Sequence, residues 1–512
     1  MRTRRDVWKL ASQPGDKTLY WYSVAVEEMQ ARLFDNPVGW KFQAAMHGYD
    51  VNLYPPLRPG ENLPSQAIQT GYWDQCQHAS WFFLPWHRIY VFLFEQMCRD
   101  AIVAKGGPLD WALPYWDYSH PKSAQERTLP TDFRSATLAV GGNNPLYTGR
   151  GPGVNSGAVV GTDQQSENTS CMKSNVFSGT VPSGFGGGIS TPMQFSKYTG
   201  SCENGPHNSM HDAIGGTTGW MDNPMTAALD PIFWLHHANI DRLWVIWQAD
   251  PSHAFPPNPQ WNNETFDFFD ASGAPKSYPV KDVLQTTGPL CDYVYENTTN
   301  PLGIRPVVPP GAPGPGIPPS GPSGPVDALA MRAMNKSQLI GATSEPSVTL
   351  GSGERSVSFK IQATLPVAAV GKRTLKSTDS AVEPIQVHLA LENIRAAERP
   401  IHTYEVYVNV PEGEAAKAHP ELMAGLIPRF GLIEASRPGR EHGGQGLNLS
   451  FDITGIVSAL RDKGAWDSNN VHVTFAPHDV QEDERLRLEG KAVPQRQPVT
   501  VGRVGIYTQW GT

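Results

Sequence analysis

Residues 83–96 read FLPWHRIYVFLFEQ. The run is apolar and aromatic, and it carries Leu84-Pro85-Trp86-His87 near its start. Proline suits the first position of a helix, where its missing N–H costs nothing. Pro85 therefore predicts a helix start, with His87 in the first turn among Phe83, Trp86, Tyr90 and Phe92. A lone histidine in such a run is most simply a core residue with a satisfied hydrogen bond. The histidines elsewhere change that reading.

His47 in FQAAMHGYD, His78 in DQCQHASWFF and His87 form a first group. On one continuous helix, nine residues turn the chain about half a circle, so His78 and His87 would face apart. Pro85 lets His78 sit on a preceding loop, and the two rings can then converge. The second group is PHNSMHDAIGG. His207 and His211 are four apart and share one helix face. The zinc-protease pattern needs a glutamate directly after the first histidine, and that position is Asn208. The third group is LDPIFWLHHANIDRLWVIWQ. His236 and His237 are about 100° apart on a helix, so one of them can point where His207 and His211 point, and spacing does not choose. The competing reading makes Phe233, Trp234, Leu243, Trp244 and Trp247 a core that the histidines cap. Two sets of three histidines without a cysteine or carboxylate ligand pattern suit copper, zinc, iron or nickel. Two all-imidazole sites facing each other point to a dinuclear centre for oxygen.

The chain has 512 residues, which at about 150 per domain allows two to four domains. The net charge is −8 and no basic block is present, so neither nucleic acid nor an anionic membrane is an expected partner. The N-terminal MRTRRDVWKLASQPGDK lacks the apolar core of a secretory signal, which predicts a cytoplasmic protein. The five cysteines are too scattered for a disulfide framework, although Cys171 and Cys202 could pair in an oxidising compartment.

Helical signals lie near 23–47, 85–104 and 205–249. Between the last two runs a long stretch rich in Gly, Ser, Thr and Asn, the kind of segment that often forms functional surface. Pro306 to Pro325 holds nine prolines in twenty residues and reads as an extended, semi-rigid linker. Beyond it the apolar residues alternate, in SVSFKIQATL, IQVHLALENI, TYEVYVNV, LNLSFDIT, NVHVTFAP and RVGIYTQW. Period-two runs of this kind predict antiparallel strands in a small sandwich.

The segments CQHASWFFLPWHRIYVFLFEQ, LPYWDYSHP, ENGPHNSMHDAIGG and DPIFWLHHANIDRLWVIWQ together resemble the tyrosinase/catechol oxidase/hemocyanin family of type-3 copper proteins. The resemblance covers about residues 1–298. It implies a mainly α copper domain with a four-helix-bundle core. It also implies two copper ions, one on His47, His78 and His87 and the other on His207, His211 and His237. The second histidine of the HH pair is the ligand in that family, which leaves His236 a near neighbour. Cys76-Gln77-His78 is similar to the Cys-x-His arrangement that some members convert to a thioether fixing the His78 ring. Phe233 is expected to pack beneath the second ligand set. Asp241 is expected to pair with an arginine, and Tyr293-Val294-Tyr295 to close the domain. Glu203 and Asn208 would hold the water that deprotonates a monophenol.

Three units follow: residues 1–298 as the copper domain, 299–329 as the Pro/Gly-rich linker, and 330–512 as a β-sandwich C-terminal domain. The last resembles, more faintly, the β-domain of plant-type polyphenol oxidases that covers the active-site mouth. Its loop IPRFGLIEASRPGREHGG offers Phe430 as the inserted side chain. The implied partners are a small phenol and O2, with self-association left open. The implied reaction is hydroxylation of monophenols and oxidation of o-diphenols to o-quinones. Catechol or o-aminophenol oxidation alone is the alternative within enzymes. A hemocyanin-like oxygen carrier is the alternative outside them.

Overall fold

The computed structural model describes residues 1–119, 123–138, 141–161, 169–253, 255, 258–303, 337–362, 385–439, 444–478 and 480–510. The proline-rich stretch 306–325 lies outside the described residues.

The helix announced by Pro85 runs from Phe83 to Ala104. It starts two residues earlier than Pro85 predicts, which leaves the proline in the first turn, where no intrahelical N–H bond is lost. The helix is buried on nearly every side, as expected of an element apolar all round. It packs against helices Thr18–Ala31 and Ile232–Gln248, and Thr18–Ala31 in turn packs on Trp40–His47. Phe94 and Trp234 stack with centroids 3.5 Å apart across this bundle.

Two long helical signals are each split. Helix Thr18–Ala31 ends before the turn at Asn36-Pro37, and a second helix runs from Trp40 to His47. The other signal is split at Gly216, whose φ of +55° reverses the chain after helix Ser209–Gly215. Gly215 is also obligatory, because a Cβ there would lie 2.1 Å from the Asp222 nitrogen. The chain then returns as helix Ile232–Gln248.

Buried charge ties the bundle together. Asp241 accepts from Arg88 Nε at 2.5 Å and from the Tyr293 and Tyr295 hydroxyls at 2.6 Å each. Arg4 bridges Asp241 to Glu95, which it meets at 2.7 Å. Burial opposes the charge on Asp241, but Arg88 and then Arg4 outweigh it and hold the carboxyl below its usual range. Strand Tyr293–Tyr295 pairs in parallel with Arg2–Arg4, which closes the helical part. No described helix is long and apolar enough to cross a membrane.

All six alternating segments contain strands. One sheet runs Met423–Ile427, Tyr404–Val408, Val471–Pro477, Arg355–Phe359, antiparallel throughout. The other runs Leu447–Asp452, Ile385–Ala396, Val499–Trp510, Ser337–Ala342, with Val348–Leu350 also on the Val499–Trp510 strand. Val357, Val406, Val473 and Phe475 of the first sheet share one core with Leu389, Leu391, Leu449 and Val504 of the second. Exposed Arg355, Ser356 and Ser358 alternate with buried Val357 and Phe359, which is the period-two pattern of a sheet with one buried face. The helical core and the sandwich core exchange residues. Ala79, Phe195 and Met225 enter the sandwich core, and Phe430 enters the helical one. Two of these crossings, Phe195 and Phe430, touch the histidines.

Candidate metal centre

His47 ends its helix because Gly48 follows, and a Cβ at Gly48 would lie 2.5 Å from the Pro224 carbonyl oxygen. That close approach sets His47 Nδ1 2.9 Å from the same oxygen. His87 Nδ1 lies 2.7 Å from the Phe83 carbonyl, one turn back in its own helix. His78 sits on the loop before that helix. Its N–H donates to Gln194 O at 2.9 Å and its carbonyl accepts from Ser196 N–H at 3.0 Å. The Gly/Ser-rich stretch therefore fixes His78, and its Phe195 stacks on the ring at 4.8 Å. Cys76 Sγ lies 3.3 Å from His78 Nδ1.

His207 lies just after the kink that Gly205 puts into the segment Glu203–Asn208, and its Nδ1 lies 2.8 Å from Asn208 Oδ1. His211 Nδ1 lies 2.8 Å from the Met221 carbonyl. These contacts to oxygen put the proton of His47, His87, His207 and His211 on Nδ1 and leave Nε2 a bare lone pair.

The Nε2 atoms of His47, His78, His87, His207, His211, His236 and His237 are all buried without a hydrogen-bond partner. Their donor atoms fall into groups no more than 4.8 Å across: His207 with His211, His236 and His237; His47 with His87 and His237; and His47 with Cys76 and His78. His47, His78 and His87 have ring centroids 5.2 to 5.6 Å apart, and His237 stacks on His87 at 4.6 Å. Phe233 lies between the two sets, 5.0 Å from His47 and 4.1 Å from His237. Burial pushes His47 down to about 4 and holds the others below the usual histidine range, so the rings stay neutral. Leaving a buried acceptor unmade costs about 1–3 kcal/mol each. A metal ion repays that cost, and the donor set fits copper.

Glu203 is buried beside this cluster, and both carboxylate oxygens accept from Ala79 N–H, at 2.8 and 3.0 Å. Burial lifts its pKa to about 8 against the pull of backbone N–H donors. All five cysteines are buried, and the Cys202 side chain lies within hydrogen-bonding reach of Cys171.

Sequence reasoning missed several residues of this centre. Asp212 follows His211, and its carboxylate accepts the backbone N–H groups of Arg429 at 2.7 Å and Phe430 at 2.9 Å. The Arg429 guanidinium reaches Asp222 at 3.0 Å, which also accepts from Arg399 at 2.9 Å. Gly431, with φ +75°, turns the chain where a Cβ would lie 2.5 Å from Phe195. Phe430 is thereby laid on His211, stacked at 3.9 Å and 23°, and lies 5.5 Å from His207 and 5.8 Å from His78. These pairings join residues some 200 positions apart, so no local pattern announces them. Tyr118 and Asn239, which surround His236, were also missed.

A helix-rich core with two converging imidazole sets, followed by a β-sandwich, defines a class of metal-dependent oxidoreductase. The chain matches the common central domain of tyrosinase over residues 37–250 and a domain of unknown function (DUF7868) over residues 336–509. It is 32% identical over 528 residues to Tyrosinase HcTyr1 of Hahella sp. (strain CCB-MM4), covering 99% of this chain and 100% of that one. It is 25% identical over 484 residues to (+)-larreatricin hydroxylase, chloroplastic, of Larrea tridentata, covering 89% of this chain and 72% of that one. Its fold is similar to that of latent apple tyrosinase (MdPPO1), with a TM-score of 0.61 at 20% identity over 100% of this chain and 97% of that one. The chain belongs to the tyrosinase/polyphenol oxidase family, whose centre is a type-3 copper pair. It is a copper-dependent oxidoreductase acting on phenols, an enzyme of the tyrosinase/catechol oxidase type.

Proposed function

We propose that the protein is a tyrosinase that hydroxylates monophenols and oxidises o-diphenols to o-quinones. His47, His78 and His87 hold one copper, and His207, His211 and His237 hold the other. The convergence of six buried, unpartnered Nε2 atoms carries this reading. His237 has both nitrogens free, whereas His236 already spends Nδ1 on Tyr118. When bound, the copper pair supplies O2 binding and two-electron redox chemistry. The chain holds the imidazoles neutral, packs Phe233 between the two sets, and keeps bulk water out.

In this reading Glu203 takes the phenol proton through a water, as general base. A carboxyl raised by burial is neutral at pH 7, and positive charge beside it draws it back to the ionised base. Glu203→Gln is expected to lower monophenol hydroxylation at least about tenfold more than diphenol oxidation. Initial rates on a paired monophenol and catechol measure this, and equal losses would sink the role. Asn208 fixes the His207 ring through its Oδ1, and in this reading it holds the water together with Glu203.

The Cys76–His78 contact supports a thioether between them. Copper-loaded protein exposed to air should then lose the mass of two hydrogen atoms, and Cys76→Ala should not. An unchanged mass in both would refute the bond.

We also propose the division into residues 1–298, 299–329 and 330–512, with the last docked as a lid that keeps the enzyme latent. The decisive experiment loads the protein with copper and assays a monophenol and a catechol separately, before and after limited proteolysis near residue 300. Quinone from both supports a tyrosinase, and quinone from catechol alone makes it a catechol oxidase. No turnover of either substrate, with two coppers bound and the lid removed, refutes the proposal.

A further inference from the structure

His236 and His237 are adjacent imidazoles competing for one place, and the hydrogen bonds around His236 separate their roles. Arg242 is ion-paired with Asp117. A guanidinium has only donors. Its Nη1 lies 3.2 Å from Asn239 Oδ1, so the amide oxygen faces it and the amide nitrogen faces away. That nitrogen donates to Ser119 Oγ at 2.9 Å and also faces the Tyr118 phenol oxygen. The buried Tyr118 hydroxyl must pass its proton to an acceptor. Among the described residues its acceptor is His236 Nδ1, at 2.7 Å. A neutral ring that accepts on Nδ1 carries its own proton on Nε2. The opposite tautomer would set N–H against O–H and strand the phenol proton.

His236 is thus protonated on the nitrogen that His47, His87, His207 and His211 leave bare. Its Nε2 is buried with no protein partner, and one of its nitrogens lies within 4.8 Å of the donor atoms of His207, His211 and His237. An Nε2–H has no lone pair to give a metal. It is a donor.

We infer that His236 is a substrate-orienting hydrogen-bond donor, fixed by the relay Arg242–Asn239–Tyr118, whose Nε2–H addresses the anionic atom of a ligand held beside His207, His211 and His237. In turnover that atom is the oxygen of the phenolate. A donor there favours the phenolate over the phenol, on the opposite side of the proton transfer from Glu203. The inference rests on the copper assignment proposed above.

Two measurements test it. In metal-free, full-length protein labelled with 15N-histidine, long-range 1H–15N correlation spectra report each ring's tautomer. The signal lost in His236→Gln identifies His236, and the Nε2–H form is expected. An Nδ1–H form overturns the inference. The second measurement loads copper and titrates the oxidised protein with azide as an anionic probe. His236→Leu is expected to keep two coppers per chain and to bind azide about tenfold to a hundredfold more weakly, the range for a hydrogen bond to a charged group. His236→Gln, which restores an N–H near the same place, is expected to recover most of that loss. Unchanged azide affinity in the leucine variant refutes the donor and leaves the ligand assignment intact. Loss of one copper from His236→Leu, with both retained in His237→Leu, makes His236 the ligand and refutes both. Fewer than two coppers in the unsubstituted protein would count against the copper assignment itself.

Discussion

Replacing His211 with alanine is expected to leave one copper per chain instead of two, and to reduce phenol oxidation to background. His211 Nε2 is one of three lone pairs proposed for the second ion, and its ring is held by the Met221 carbonyl at 2.8 Å. Even a partner that only orients a ligand typically costs 10–100-fold in metal affinity or activity when lost. A ligand itself costs more, because two imidazoles do not close the site. Metal analysis of the purified variant beside turnover of a small catechol reads both effects. His47, His78 and His87 do not depend on His211 for their anchors, so the first ion should stay. A variant with two coppers and full turnover would remove His211 from the ligand set. Loss of both ions would show that the sets fold as one unit, which the shared position of His237 between them makes the alternative to watch.

The histidines were legible because each lies in a short segment whose local geometry constrains it. Pro85 marks a helix start, so His78 and His87 could be placed on a loop and a first turn. His207 and His211 share a helix face at four-residue spacing. At His236 and His237 the periodicity stopped being informative, since both positions lie on one buried helix. What separates them is a phenol proton supplied from LPYWDYSHP, more than 100 residues earlier, which no spacing rule reaches. The sandwich was legible for the opposite reason. Along Arg355–Phe359 exposed and buried positions alternate, and the sequence records that directly. Tyr404–Val408 is buried at every position, yet its sequence still sets Tyr404, Val406 and Val408 against Glu405 and Tyr407. Val348–Leu350 is only three residues long, Ser337–Ala342 mixes exposed and half-buried residues, and Met423–Ile427 buries its last three residues in a row, so these strands went unread. The seam between the two parts was illegible except for Phe430. Asp212, Asp222, Arg399 and Arg429 pair across some 180 to 220 residues, and charge pairing at that separation leaves no periodic trace.

Phe430→Ala is expected to lower the KM for small diphenols by at least about tenfold in the intact chain while kcat changes little. The ring lies flat on His211 and faces His207 and His78, which is where an aromatic substrate would have to sit. In the proposed latent state it is an intramolecular competitor, and the substrate sees only the fraction of molecules in which the ring is out. Burying a phenylalanine side chain is worth about 1.5–3 kcal/mol. At 1.4 kcal/mol per factor of ten, its removal shifts that fraction by roughly ten- to a hundredfold. Asp212→Asn should act in the same direction and more weakly. It keeps an acceptor for one of the two backbone N–H groups that set the loop but loses the charge facing Arg429. The shape of the effect separates a plug from ordinary packing. A plug raises KM for every phenol by competition, so its loss lowers KM, and proteolysis near residue 300 removes any further difference between the variant and the unsubstituted protein. Ordinary packing predicts the reverse: Phe430→Ala would destabilise the seam, leave KM where it was, and show as a lower unfolding temperature with unchanged kinetics. Such a result would return residues 330–512 to a purely structural role.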